Sequence, residues 1–99
     1  MKNLSFISWD LTAHHKLPVK DFYHQHTWTI TIYWKSYPWK DARVFQDQLK
    51  GIIEPLQGKY IPNLSQESLA KMFLCIKGVK KVMVWREQEK IGCEVTKWM

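Results

Sequence analysis

Histidines in the first third of the chain have the residue type and the spacing of a metal site. His24 and His26 lie in a stretch, residues 23–34, that alternates with a period of two and is rich in β-branched and aromatic residues. This pattern predicts a long half-buried strand, with the two imidazoles on one face and their backbones roughly 6–7 Å apart. Two such imidazoles can share one tetrahedral cation if a third ligand arrives from a neighbouring strand.

The third ligand could come from the adjacent pair His14-His15. Successive residues of a strand point to opposite faces, so one of the two would be a ligand and the other a surface residue. Zinc held by three protein ligands keeps an open position for water or a substrate oxygen, which is typical of a catalytic site. The alternative interpretation is that these are ordinary strand histidines satisfied by hydrogen bonds, because His-x-His also occurs in strands by chance.

A hairpin of two strands must position these histidines. Residues 3–13 alternate loosely and predict a first strand, which runs into residues 14–18. The strand should end or bend at Pro18, because proline cannot donate to a sheet ladder. The short connection 19–21 leads into the second strand at residues 23–34, and two consecutive strands with a short link predict an antiparallel hairpin.

Two amphipathic helices are predicted after the hairpin. Asp41 fits the N-cap of the first, and Gln57-Gly58 should end it. Ser65 fits the cap of the second, and Gly78 should stop it. The apolar residues at helical spacing are Phe45, Leu49, Ile52, Ile53 and Leu56 in the first helix, and Leu69, Met72, Phe73 and Ile76 in the second.

The remainder of the chain predicts two more strands, residues 79–85 and 91–96, joined by a polar turn at residues 86–90. The order β-β-α-α-β-β indicates a single α+β domain over residues 1–99, with a four-stranded antiparallel sheet and two helices on one face. A domain of this size leaves its sheet edges exposed, so we expect a homo-oligomer formed through those edges.

Composition narrows the class of protein further. No apolar run approaches 18 residues, which argues against a membrane span, and no signal-peptide segment is evident, so we expect a cytoplasmic protein. Cys75 and Cys93 are expected to be reduced, buried thiols. The net charge of +6 could attract nucleic acid, but no recognised nucleic-acid-binding motif accompanies it, so we expect a solvated basic surface instead.

The segment 13–18, Ala-His-His-Lys-Leu-Pro, followed by residues 24–28, His-Gln-His-Thr-Trp, resembles the 6-pyruvoyltetrahydropterin synthase family. That family includes the bacterial 6-carboxytetrahydropterin synthases of queuosine biosynthesis. The resemblance implies the tunnelling fold, in which subunits join through sheet edges into a barrel. It also implies a zinc ion bound by His15, His24 and His26, a pterin-type substrate, and lyase or synthase chemistry.

The family's third strand ends in a glutamate that anchors the pterin ring, and Val82-Met83-Val84-Trp85 resembles that strand. The resemblance therefore gives this role to Glu87 or, as second choice, to Glu89. A carboxylate can hold the guanidine-like edge of a pterin with two charge-assisted hydrogen bonds if both oxygens are free and water is excluded. The alternative is an ordinary residue of a polar turn.

The chain departs from the family at its acid/base residues. Lys20 stands where the family has a cysteine, and residues 56–58 read Leu-Gln-Gly where it has Leu-Asp-His. Asp21 could act as a base on a zinc-bound substrate, although a loop charge pair with Lys20 is the alternative. The sequence thus predicts either a zinc-dependent pterin synthase or lyase, or a non-catalytic homologue that binds zinc or a small heterocycle. A basic nucleic-acid-binding module is a third possibility.

Overall fold

The computed structural model describes residues 3–16, 23–35, 41–61 and 65–97, without the side chains of residues 15, 16 and 23–25. These residues form a four-stranded antiparallel sheet in the order β1-β2-β3-β4, with two helices. The predicted α+β class and element order are confirmed. The elements are β1 (Leu4–Lys16), β2 (Tyr23–Lys35), α1 (Ala42–Ile53), a 3-10 turn (Glu54–Leu56), α2 (Gln66–Leu74), β3 (Val79–Arg86) and β4 (Ile91–Thr96).

The hairpin of β1 and β2 pairs in one continuous register, from Leu4 opposite Lys35 to Lys16 opposite Tyr23. β1 therefore extends three residues beyond its predicted end at residue 13. The extension is stabilised from its outer side by residues 57–61, where the Ile61 amide donates to the His14 carbonyl at 2.8 Å and the His14 amide donates to the Lys59 carbonyl at 2.9 Å. Pairing on both sides satisfies the backbone of this part of β1.

One face of the sheet is apolar and carries both helices. The paired register aligns Ile7, Ile32, Val82 and Val95 in one row across the four strands, and Trp9, Ile30, Val84 and Cys93 in the next. The buried members of these rows join the buried residues of both helices in one hydrophobic cluster. The alternation predicted for β2 is thus the alternation between this helix face and the open face of the sheet.

Helix α1 begins where predicted, because the Asp41 side chain accepts a hydrogen bond from the Arg43 amide at 2.9 Å. It ends at Ile53 rather than at residue 56, since Pro55 follows and the chain continues as a 3-10 turn. Its buried residues include Phe45, whose ring stacks on Trp34 with centroids 4.3 Å apart.

Helix α2 has the predicted cap at Ser65, where the Ser65 and Ser68 side chains each accept from the other residue's amide. Met72, one of the apolar residues at helical spacing, is 42% exposed, because the short helix turns Leu69, Ala70 and Phe73 toward the sheet instead. One sequence expectation for this region is wrong. Cys75 is exposed at the C-cap rather than buried, whereas Cys93 is half-buried on β4.

Neither helix of the described segments combines the length and the apolar character that crossing a membrane requires.

Candidate metal site

The hairpin register brings three histidine positions together. His15 is paired directly with His24, and His26 is paired with Ala13. Directly paired positions of an antiparallel ladder belong to the same face of the sheet, and so do positions two apart on one strand. Positions 15, 24 and 26 are therefore neighbours on the helix face. The structure describes the backbones of His15 and His24 but not their side chains, so this grouping is one of backbone positions.

His14 belongs to the other face. It is paired with residue 25 and shares its parity with Thr12, whose hydroxyl is 2.9 Å from that of Thr27 on the open face of the sheet. The backbone of His14 is also fixed on its outer side by Lys59 and Ile61. The register thus separates the two successive histidines, and it groups position 15 with positions 24 and 26.

The His26 side chain is held at the border of the hydrophobic core. Its exposed fraction is 14%, and its ring meets the ring of buried Trp28 edge-on with centroids 5.5 Å apart. Ala13, directly opposite His26, is fully buried and contributes only a methyl group to this surface. His26 thus lies at the edge of the core, next to position 24 on its own strand and diagonal to position 15 on β1.

A carboxylate reaches His26 from the turn between β3 and β4. Oε1 of Glu89 lies 3.1 Å from Nδ1 of His26, and Oε2 lies 3.9 Å from Nε of Arg86. β3 ends at Arg86 and pairs with β2 only from Thr29 onward, so the turn fills the space beside the first part of β2. Glu89 is 34% exposed and Arg86 is 15% exposed, which makes this a partly desolvated group of charges.

Glu87 occupies a different environment from Glu89. Its carboxylate accepts a hydrogen bond from Nε1 of Trp85 at 2.6 Å and a short one from Nζ of Lys90. These hydrogen bonds, that of Lys90 first and that of Trp85 second, lower the pKa of the Glu87 carboxyl below its usual range. The side chain is 68% exposed. Both oxygens are thus occupied and in water, whereas the predicted pterin contact requires two free oxygens in a protected pocket.

Another predicted site residue, Asp21, lies outside the described residues, and so does its neighbour Lys20. Within the part of the chain that is described with side chains, no three His, Cys, Asp or Glu residues form a group that could hold a metal. That part contains only one of the three predicted ligands, His26, so the zinc prediction depends on the register of the hairpin.

Sequence reasoning missed the contribution of Arg86. The signal was present in the alternation of β3, because Arg86 follows Val82 and Val84 at the same parity and so belongs to the helix face. The sequence predicts Glu89 only as a second choice for holding the pterin ring. Its position against His26 depends on where β3 stops, and residue spacing alone did not indicate that contact.

The sequence was compared with protein families and with curated proteins. No protein-family model matches the sequence. No curated protein matches it significantly either.

Proposed function

We propose that this protein binds zinc through His15, His24 and His26 and that its ligand is a small pterin-type heterocycle. The observation that supports this most directly is the hairpin register, with positions 15 and 24 paired and position 26 next along the same face. The proposal retains the likeness to the 6-pyruvoyltetrahydropterin synthase family and its tunnelling fold.

The spacing of these positions suits one tetrahedral ion. Directly paired residues have Cβ atoms about 4.5–5.5 Å apart, and diagonal neighbours are about 7–8 Å apart. Imidazole side chains at such positions can converge on a zinc ion that takes nitrogen ligands at about 2.0–2.1 Å.

Bound zinc would supply a Lewis acid for the side-chain oxygens of a substrate. Glu87 stays the predicted holder of the ring, and this role requires Trp85 and Lys90 to release its carboxylate. Asp21 stays the predicted base. The missing cysteine at position 20 and the missing Asp-His pair after α1 favour a binding role over synthase turnover.

The same proposal includes a homo-oligomer formed through sheet edges. Among the described residues, β4 and residues 4–9 of β1 each pair with a single neighbouring strand. The edge of β1 at residues 12–14 is already covered by residues 57–61. A second copy of the chain would therefore join through β4 or through the first half of β1.

The test is the metal content of untagged protein purified without added metal, beside a His24→Ala and His26→Ala double variant. About one zinc per chain in the native protein and none in the variant supports the proposal. Binding and turnover of a dihydropterin triphosphate by the native protein then separate the binding role from the enzymatic one. No zinc in either folded protein overturns the metal proposal and directs attention to the basic surface.

A further inference from the structure

The hydrogen bond between Glu89 and His26 has one possible donor. A carboxylate oxygen can only accept a hydrogen bond, so at 3.1 Å the Nδ1 atom of His26 must be the donor. In a neutral imidazole with its proton on Nδ1, the lone pair is on Nε2. Glu89 thus selects the ring form in which Nε2 is the atom able to bind a metal.

Arg86 keeps Glu89 in this role. Its Nε atom is buried, has no hydrogen-bond partner among the described residues, and lies 3.9 Å from Oε2 of Glu89. The guanidinium faces Oε2 and leaves Oε1 to the imidazole ring, so it holds the carboxylate in place against His26.

We propose that Glu89 is a positioning residue of the zinc site, which fixes the orientation and tautomer of His26 so that Nε2 is presented to the metal. This inference rests on the proposed zinc function and assigns Glu89 a role other than ring binding. Histidine ligands of metals commonly donate their second ring N–H to a carboxylate, and removal of that carboxylate typically weakens metal affinity about 10–100-fold.

The neighbouring strand offers a control. Glu94 of β4 carries the same charge, but its carboxylate lies 3.2 Å from Nζ of Lys81 and contacts no described residue of the proposed zinc site. A difference between Glu89→Ala and Glu94→Ala therefore reports on the contact with His26.

The experiment measures zinc affinity by competition with a chromophoric chelator for the native protein, Glu89→Ala, Glu89→Gln and Glu94→Ala. We expect zinc binding to weaken about 10–100-fold in Glu89→Ala, less in Glu89→Gln, whose amide oxygen can still accept, and not at all in Glu94→Ala. Thermal unfolding of the metal-free proteins verifies that each variant folds.

A second readout does not involve metal. Nitrogen-15 NMR of the His26 ring in metal-free protein, at about pH 8 where imidazole is neutral, reports which nitrogen carries the proton. We expect the proton on Nδ1 in the native protein and a mixture of both tautomers in Glu89→Ala.

The outcomes separate the two proposals. Native protein that binds no zinc overturns the proposed function and this inference with it. Native protein that binds zinc, with equal affinity in Glu89→Ala, overturns this inference alone. A His26 ring that keeps its proton on Nδ1 in Glu89→Ala also overturns this inference alone. If cobalt-substituted Glu89→Ala has a changed coordination spectrum, Glu89 is a direct ligand and the positioning role is wrong.

Discussion

His26 and Glu89 are 63 residues apart in the sequence, yet Nδ1 of one lies 3.1 Å from Oε1 of the other. The contact forms where β2 begins and where β3 ends. β2 begins at Tyr23, whereas its pairing with β3 begins only at Thr29, so on the β3 side His26 meets the β3–β4 turn instead of a strand. The turn places a carboxylate at the one predicted zinc ligand whose side chain the structure describes.

Replacement of Gly92 by alanine should destabilise the sheet. A Cβ atom at this position would overlap the Val84 carbonyl oxygen and lie 2.8 Å from Cε3 of Trp85. We expect a loss of about 1–3 kcal/mol in the free energy of unfolding, measured by chemical denaturation.

The control for that substitution is Gly51→Ala on α1, where an added Cβ meets nothing within 4 Å. It should gain roughly 0.5–1 kcal/mol, because alanine is the better helix former. Equal stability of the two variants would contradict the close packing assigned to Gly92.

Truncation of Leu49 should leave a cavity between α1 and the sheet. Leu49 is fully buried in the core cluster, so Leu49→Ala should cost about 2–5 kcal/mol of unfolding free energy. Met72→Ala removes a side chain that is 42% exposed, and its effect should stay within about 0.5 kcal/mol. A larger loss from Met72→Ala than from Leu49→Ala would show that the apolar face of α2 has been assigned incorrectly.

The Gln57 side chain acts as an additional backbone partner for β1. Its Oε1 accepts from the Thr12 amide at 2.9 Å, and its Nε2 donates to the Asp10 carbonyl at 2.7 Å. Gln57→Ala should therefore accelerate hydrogen exchange at the Thr12 amide and cost about 1 kcal/mol. Gln48→Ala, at an exposed position of α1, should leave that exchange rate unchanged. Unaltered protection of Thr12 in Gln57→Ala would contradict the contact.

The two thiols should differ in reactivity toward iodoacetamide. Cys75 is exposed, whereas Cys93 is half-buried and burial, aided by the charge of Glu67, raises the pKa of its thiol. A raised pKa lowers the thiolate fraction at a given pH, so Cys93 should react more slowly and need a higher pH. In Cys75→Ser only the slow phase should remain, and in Cys93→Ser only the fast phase. Faster alkylation of Cys93 would contradict this order.

Much of the fold could be predicted because local patterns and tertiary packing agree. The period-two alternation of residues 23–34 became β2, and the caps at Asp41 and Ser65 began both helices where expected. The ends of elements were less predictable. Pro55 shortened α1, and pairing with residues 57–61 lengthened β1, which depends on contacts between segments distant in the sequence.

The candidate site could be predicted only in part for the same reason. Spacing indicated that positions 24 and 26 share a face, but only the register could distinguish His15 from His14. The contact of Glu89 with His26 forms because β3 ends at Arg86 and the following turn folds back toward β2. The alternation of residues along a strand does not indicate where such a turn will lie. Exposure of Cys75 likewise followed from the position of the helix end.

The most direct test uses the four histidines of the chain as four single variants: His14→Ala, His15→Ala, His24→Ala and His26→Ala. Zinc per chain is measured by plasma mass spectrometry on each folded, untagged protein. We predict about one zinc in the native protein and in His14→Ala, and a large loss in the other three variants. Loss of zinc in His14→Ala with retention in His15→Ala, or no zinc in the native protein, would contradict the proposed site.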